Sequence, residues 1–214
     1  MPNIKQVRNP EVAVASELYT ADSVLIGRYY TENRTPIAIK EVSPFMIKAL
    51  ICTEDVRFYS HYGFDLRSIF GTMSSAAKGD QRGGSTLTQQ LAKNMFETRS
   101  SINQGLLGKI PYVRTVIYKT KEWITAFKLE LFYSKSDILE MYLNTIDFGN
   151  SWYGIKVASK NYFGKLPIKL NIQEAALLTG MLKATSTYNP FKNPAQAQGR
   201  RNIVLDQMWL STFL

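Results

Sequence analysis

Helix starts are written into this chain at several places, and they constrain its fold more than any other feature. Ser43-Pro44 sets an N-cap serine before a proline at the first helical position. Thr86-x-x-Gln89 and Asn171-x-x-Glu174 have the form of capping boxes, in which the cap side chain and the side chain three residues on satisfy each other's backbone N–H groups. Ser134 or Ser136 caps a further segment carrying Ile138, Leu139, Tyr142 and Leu143. Gly164 ends a helix over 155–163, and a last helix begins near Ala195. Residues 45–214 therefore read as one mainly α domain. Residues 1–44 differ: from 12 to 39 they are rich in β-branched and tyrosine residues, broken by Ala21-Asp22 and Asn33-Arg34. They read as an N-terminal linker with short β strands.

With 214 residues, 45% of them hydrophobic and 20% charged, the chain can bury a core and is not of disordered type. Its single cysteine, Cys52, excludes an internal disulfide, and one histidine with one cysteine leaves no structural zinc set. No run reaches the roughly 18 apolar residues of a membrane span, and no signal peptide is visible. The formal charge is +9, unevenly spread. Residues 1–44 balance five basic against five acidic side chains, whereas 156–201 hold eight basic residues and the single acid Glu174. Such a surface suits a polyanion: nucleic acid, anionic lipid head groups or a phosphate-bearing substrate.

Chemistry-bearing residues concentrate in 49–96. On a helix starting at Pro44, Phe45, Ala49, Cys52 and Val56 form one apolar stripe, and Glu54 faces the other side among Leu50, Ile51 and Phe58. Apolar surroundings suit a carboxylate to proton transfer near neutral pH; the plainer reading is a carboxylate neutralised by Arg57 or Lys48. His61 reads as a structural histidine. The helix start at Ser85-Thr86 follows two glycines, so backbone N–H groups could approach an anion, with Gln89, Gln90 and Lys93 nearby; it also reads as an ordinary capped helix. Residues 95–118 mix apolar side chains with Arg99, Lys109, Arg114 and Lys119, the pattern of a segment lying in a membrane interface or of a patch feeding the core. From 113 to 133 the stripe Val113, Val116, Ile117, Ile124, Phe127, Leu131 turns one way. Glu122 projects the other way, beside Tyr118, Ala126, Leu129 and Tyr133, with Lys119 and Lys121 favouring its ionised form. Two carboxylates in different settings are a common basis for division of labour in sugar chemistry. The loop 146–154, with Phe148, Trp152 and Tyr153, offers aromatic surface to a sugar or lipid.

Five runs stand in order. They are Glu54-Asp55-x-x-Phe58-x-x-His61-x-Gly63; Gly84-Ser85-Thr86-x-Thr88-Gln89-Gln90-Leu91-x-Lys93-Asn94; Lys119-x-x-Glu122; Lys135-x-x-Ile138-Leu139-Glu140-x-Tyr142-Leu143-Asn144; and Arg200-Arg201-Asn202-x-Val204-Leu205. In order and spacing they resemble the five signatures of the peptidoglycan glycosyltransferases, the domains found in class A penicillin-binding proteins and in monofunctional transglycosylases. The third signature usually has an arginine where this chain has Tyr118; Lys121 or Arg114 is then the substitute cation.

The resemblance implies a lysozyme-like, two-lobed helical domain with a small membrane-facing jaw lobe. It implies polymerisation of lipid II into β-1,4-linked glycan with release of undecaprenyl diphosphate. Glu54 would be the general base and Glu122 would position the leaving group, through a divalent cation (Mg or Mn). Asp55, Ser85, Thr86, Gln89, Gln90, Lys93, Asn94, Arg99 and Lys119 would contact substrate. The implied partners are lipid II, the growing strand, the membrane surface and a transpeptidase domain in a longer parent, with no nucleic acid; the implied location is the outer face of the bacterial membrane. The competing expectation is a lysozyme or lytic transglycosylase with Glu54 as general acid, which needs neither Lys93 nor a basic jaw.

Overall fold

Helices carry most of the residues that the computed structural model describes, which are 1–8, 16–22, 25–29, 35–67, 84–96 and 111–211. In order they are α1 (Ile4–Arg8), α2 (Pro44–Glu54), α3 (Leu87–Phe96), α4 (Pro111–Phe132), α5 (Lys135–Thr145), α6 (Ile155–Phe163), α7 (Ile172–Met181) and α8 (Pro194–Leu210). Two short strands, β1 (Ser16–Tyr19) and β2 (Leu25–Tyr29), pair antiparallel with an irregularity at Leu18/Tyr19. The fold is mainly α. The local signals act where the sequence puts them. Asn171 and Glu174 close a complete capping box on α7, and Gly164 ends α6 in the left-handed region at φ 67°, its N–H donating to the Lys160 carbonyl at 2.9 Å while the Lys165 N–H reaches the Ser159 carbonyl at 3.4 Å. Ser134 caps α5 by exchanging bonds with Asp137, its Oγ accepting from the Asp137 N–H at 3.2 Å and donating to Oδ2 at 2.7 Å.

The chain divides into two compact units, and the boundaries fall inside α2 and α5. The unit of Met1–Glu11 and Glu54–Leu139 is built on α3 against α4. Its interior holds Phe58, Leu87, Leu91, Ala92, Ala126, Leu129 and Ile138. Residues 1–8, expected in a linker, are tied to α4 here: Lys128 Nζ donates to the Pro2 carbonyl at 3.3 Å, and Tyr133 OH donates to the Val7 and Arg8 carbonyls.

In the unit of Val12–Thr53 and Glu140–Leu214, α7 packs on α8 and the core includes Met46, Leu50, Tyr142, Leu143, Phe148, Met181, Val204 and Met208. Asn144 grips the extended backbone at Ile37 through both its N–H (3.0 Å) and its carbonyl (2.9 Å). One turn earlier, Glu140 accepts from the Ile39 N–H at 2.7 Å. The Glu140 and Asn144 of the fourth run are thus scaffold, two side chains at i, i+4 doing the work of a neighbouring strand.

Two helical faces differ from expectation. On α2 the buried residues are Met46, Ala49 and Leu50, while Phe45 is 47% and Val56 57% exposed; Val56 lies beyond the helix end at Glu54. On α4 the expected apolar stripe faces outward, with Val116 65%, Ile124 41%, Phe127 42% and Leu131 61% exposed. The face carrying Glu122, Thr125, Ala126 and Leu129 is the buried one. Both helices are apolar on two sides, so periodicity alone does not choose between them.

Gly63 fixes where the loop after α2 crosses α4. Its φ is +83°, and a Cβ there would stand 2.7 Å from the Ala126 carbonyl carbon and 2.9 Å from the Phe127 nitrogen. Backbone atoms cannot yield as a side chain can, and the left-handed conformation adds about 1–2 kcal/mol for a non-glycine residue. Gly63→Ala is expected to lower the urea midpoint by the equivalent of more than about 2 kcal/mol; an unchanged midpoint would mean the crossing is loose.

Candidate active site

The loop that opens the first unit begins at Glu54, and its second residue does structural work. Asp55 is 7% exposed. Its two carboxylate oxygens each lie 3.0 Å from His61 Nε2, and Oδ2 also accepts the Leu87 N–H at 3.0 Å. An aspartate thus sits on the first turn of α3, where the helix dipole favours a negative charge. The capping box expected at Thr86-x-x-Gln89 is half formed. Thr86 Oγ1 accepts from the Gln89 N–H at 3.2 Å, but the Gln89 side chain donates to the Gly63 carbonyl instead, at 3.2 Å. Thr86 donates to that same carbonyl at 2.7 Å. Asp55, Thr86 and Gln89 were expected to touch substrate; here each is buried and engaged with the protein, and the anion at the helix start is the chain's own. His61 Nε2 carries the proton that bonds Asp55, and its buried Nδ1 meets no partner among the described residues.

Further along α3 the side chains turn toward chemistry. Gln90 Nε2 donates to Glu54 Oε2 at 2.9 Å, with both residues half-buried. Lys93 and Asn94 follow Gln90 at i+3 and i+4, hence on its face of the helix, and both are exposed. Next to the start of α3, Lys119 Nζ donates to Ser85 Oγ at 2.7 Å and pairs with Glu122 Oε2 at 3.0 Å across one turn of α4. Glu122 is 2% exposed, so its charge is offset inside the protein by an ammonium that still reaches the surface. The structure therefore brings Glu54 to Gln90, and Ser85 to Lys119 and Glu122. Arg99 lies outside the described residues, as do 97–110 of the expected jaw and 78–83 of the loop before α3. Arg114 is exposed and Lys121 half-buried, one turn to either side of Tyr118.

The donor set of the described residues does not fit a protein-held divalent cation. Among the described residues no group of three or more His, Cys, Asp or Glu side chains could hold a metal ion, and Glu122, the expected ligand, is already paired with Lys119.

One polar hub was missed in the sequence. Lys135 Nζ donates to Glu130 (2.7 Å) and to the His61 carbonyl (2.7 Å), and lies 4.5 Å above the centre of the Phe58 ring. Thr88 donates to the same Glu130 oxygen at 2.7 Å. This hub locks the loop carrying Asp55 and His61 onto α4 and α3. Glu130 and Lys135 are five residues apart, but His61 and Thr88 lie too far from them in sequence for any local pattern to pair them.

Comparison with known proteins supplies the family. A family model described as Transglycosylase matches residues 22–209, and so begins inside the segment read as a linker. The chain is 37% identical over 210 residues to penicillin-binding protein 1A of Escherichia coli (strain K12), covering 97% of this chain and 23% of that protein. It is 42% identical over 185 residues to penicillin-binding protein 1F of Bacillus subtilis (strain 168), covering 86% of this chain and 24% of that protein. A crystal structure of penicillin-binding protein 1A from Haemophilus influenzae aligns with TM-score 0.46 and 22% identity, over 95% of this chain and 19% of that one. The chain thus spans less than a quarter of the length of the curated relatives named here. With a family model matched across almost its whole length, the chain belongs to the transglycosylase family, as a peptidoglycan glycosyltransferase domain of the class A penicillin-binding type.

Proposed function

We propose that this domain polymerises lipid II into β-1,4-linked glycan at the outer face of the bacterial membrane. The observation that carries the reading is the Glu54–Gln90 pair on the face of α3 that also presents Lys93. Gln90 holds Oε2, which leaves Oε1 to take the proton of the acceptor sugar's 4-hydroxyl. The freed oxygen attacks the anomeric carbon of the donor chain, the bond to the diphosphate oxygen breaks, and the configuration inverts to β. Negative charge grows on the departing undecaprenyl diphosphate. Ser85 accepts from Lys119 and so has its own O–H to donate to that charge, and Lys119 and Lys93 supply cations near it. Asn94 and the half-buried backbone at Gly84 and Ser85 complete the polar wall. A divalent cation, where one is needed, belongs with the diphosphate rather than with Glu122.

The outward apolar face of α4 supports a membrane-bound substrate. Val116, Ile124, Phe127 and Leu131 extend the basic, apolar 95–118 stretch into the described helix, as an interfacial segment would. Among the described residues no helix is long and apolar enough to cross a membrane. A transpeptidase domain in a longer parent is part of the same proposal.

The test is glycan polymer from lipid II presented in detergent or vesicles; fragments released from finished peptidoglycan, with no polymer, would sink the reading. Lys119 gives a sharper arm. Lys119→Met strips Glu122 of its ammonium and should cost about 2–3 kcal/mol, below the range for a fully buried pair because the lysine is 34% exposed. Adding Glu122→Gln should restore the urea midpoint but not the polymerisation rate. A double variant as fast as the parent chain would reduce Lys119 to a structural counter-ion.

A further inference from the structure

In the unit containing Glu140–Leu214, Trp152 of the 146–154 loop joins a platform that the proposed reaction does not use. Trp152 meets Tyr162 edge-on, with ring centroids 4.8 Å apart at 79°, and meets Phe191 at 6.2 Å and 88°. Tyr162 and Phe191 stack at 5.4 Å and 14°. Tyr162 therefore covers one face of Phe191 and Trp152 its edge. Phe191 is nonetheless 65% exposed, so the remaining face of its ring is open.

That ring is held firmly. Asn189, 1% exposed, accepts the Phe191 N–H through Oδ1 at 2.9 Å and donates through Nδ2 to Asn150 Oδ1 at 3.2 Å. Asn150 Nδ2 donates to the Tyr162 hydroxyl at 3.2 Å, and that hydroxyl donates to the Phe148 carbonyl at 2.9 Å. Burial, and then Asp147, push the Tyr162 phenol up to about 12, so it stays a donor at neutral pH. Asn150 and Ser151 sit at φ 56° and 60°, a conformation that is strained for a non-glycine residue and persists only where its surroundings enforce it. Packing alone would turn Phe191 inward. Here a strained turn and a buried asparagine hold a phenylalanine with its face to water, where it forgoes the gain of burial.

We propose that Trp152, Tyr162 and Phe191 form a carbohydrate subsite, in which a pyranose ring of a β-1,4-linked N-acetylhexosamine glycan stacks on the open face of Phe191. The axial C–H face of such a sugar is flat and apolar and its rim is polar, which matches an aromatic face whose rings have the polar chain neighbours Ser151 and Lys192. Charge agrees: 156–201 hold eight basic residues and one acid, complementary to a strand bearing carboxylates. The choice of glycan rests on the polymerase reading; the stacking geometry does not.

The experiment is calorimetric titration of the whole chain with N-acetylglucosamine tetramer, which requires no turnover. Saturable binding is expected, weakened about tenfold or more in Phe191→Leu and kept in Phe191→Tyr. Because the ring is mostly exposed, both variants should melt as the parent chain does. Absence of saturation at about 10 mM tetramer, or equal affinity in Phe191→Leu, would overturn the proposal. So would loss of binding to anionic vesicles in Phe191→Leu with tetramer binding intact, since that would give the face to lipid. Polymer from lipid II without tetramer binding would refute the subsite alone, whereas binding without polymer would refute the reaction alone.

Discussion

Glu54→Gln is expected to lower the rate of polymer formation from lipid II by about 10²–10⁴, the usual contribution of a positioned base, while the fold stays intact. The amide keeps an oxygen that still accepts the Gln90 N–H, so that contact survives. What it loses is the ability to receive the acceptor's proton. Glu54→Asp separates position from basicity: it keeps the carboxylate but shortens it by one methylene, out of the 2.9 Å reach of Gln90, and should fall between the two. Initial rates with labelled lipid II, beside thermal melts of all three chains, decide the matter. A Glu54→Gln rate within about tenfold of the parent would remove Glu54 from the role of base.

How far these conclusions could be read from the sequence follows from the range of each interaction. Caps are local, so Asn171 with Glu174, Gly164 with the end of α6, and Ser43-Pro44 were legible and the helices lie where those residues put them. The buried faces of α2 and α4 were not. A wheel assumes that the apolar side is the inside, and α4 carries Val116, Ile124, Phe127 and Leu131 outward while burying Glu122 and Thr125. A helix that serves a second, apolar environment breaks that assumption. The site was legible as residue types in a known order, but its partnerships were not. Glu54 meets Gln90 36 positions away, and Asp55 meets the Leu87 N–H 32 positions away. Without those contacts Asp55 and Thr86 read only as ligands for substrate; the contacts add that both also support the start of α3.

Asp55 is therefore where the largest loss of stability is expected. Asp55→Ala leaves the Leu87 N–H and the His61 Nε2–H without their acceptor in surroundings where Asp55 is 7% and His61 8% exposed. Each orphaned donor costs about 1–3 kcal/mol, and the lost charge on the first turn of α3 adds up to about 1 kcal/mol. A total of about 3–5 kcal/mol is a large part of the 5–15 kcal/mol that holds a domain of this size together, and corresponds to a fall in melting temperature on the order of 10 °C. Asp55→Asn keeps an oxygen in the Oδ2 place, within reach of both donors, but gives up the charge and sets its NH2 against the His61 Nε2–H, and should lose about half as much. Stability and turnover then distinguish a support from a substrate contact. At a temperature where Asp55→Asn is fully folded, a support leaves the polymerisation rate within about tenfold of the parent chain. A loss beyond about 10² in a variant that melts like the parent would instead put Asp55 in contact with the reacting sugars.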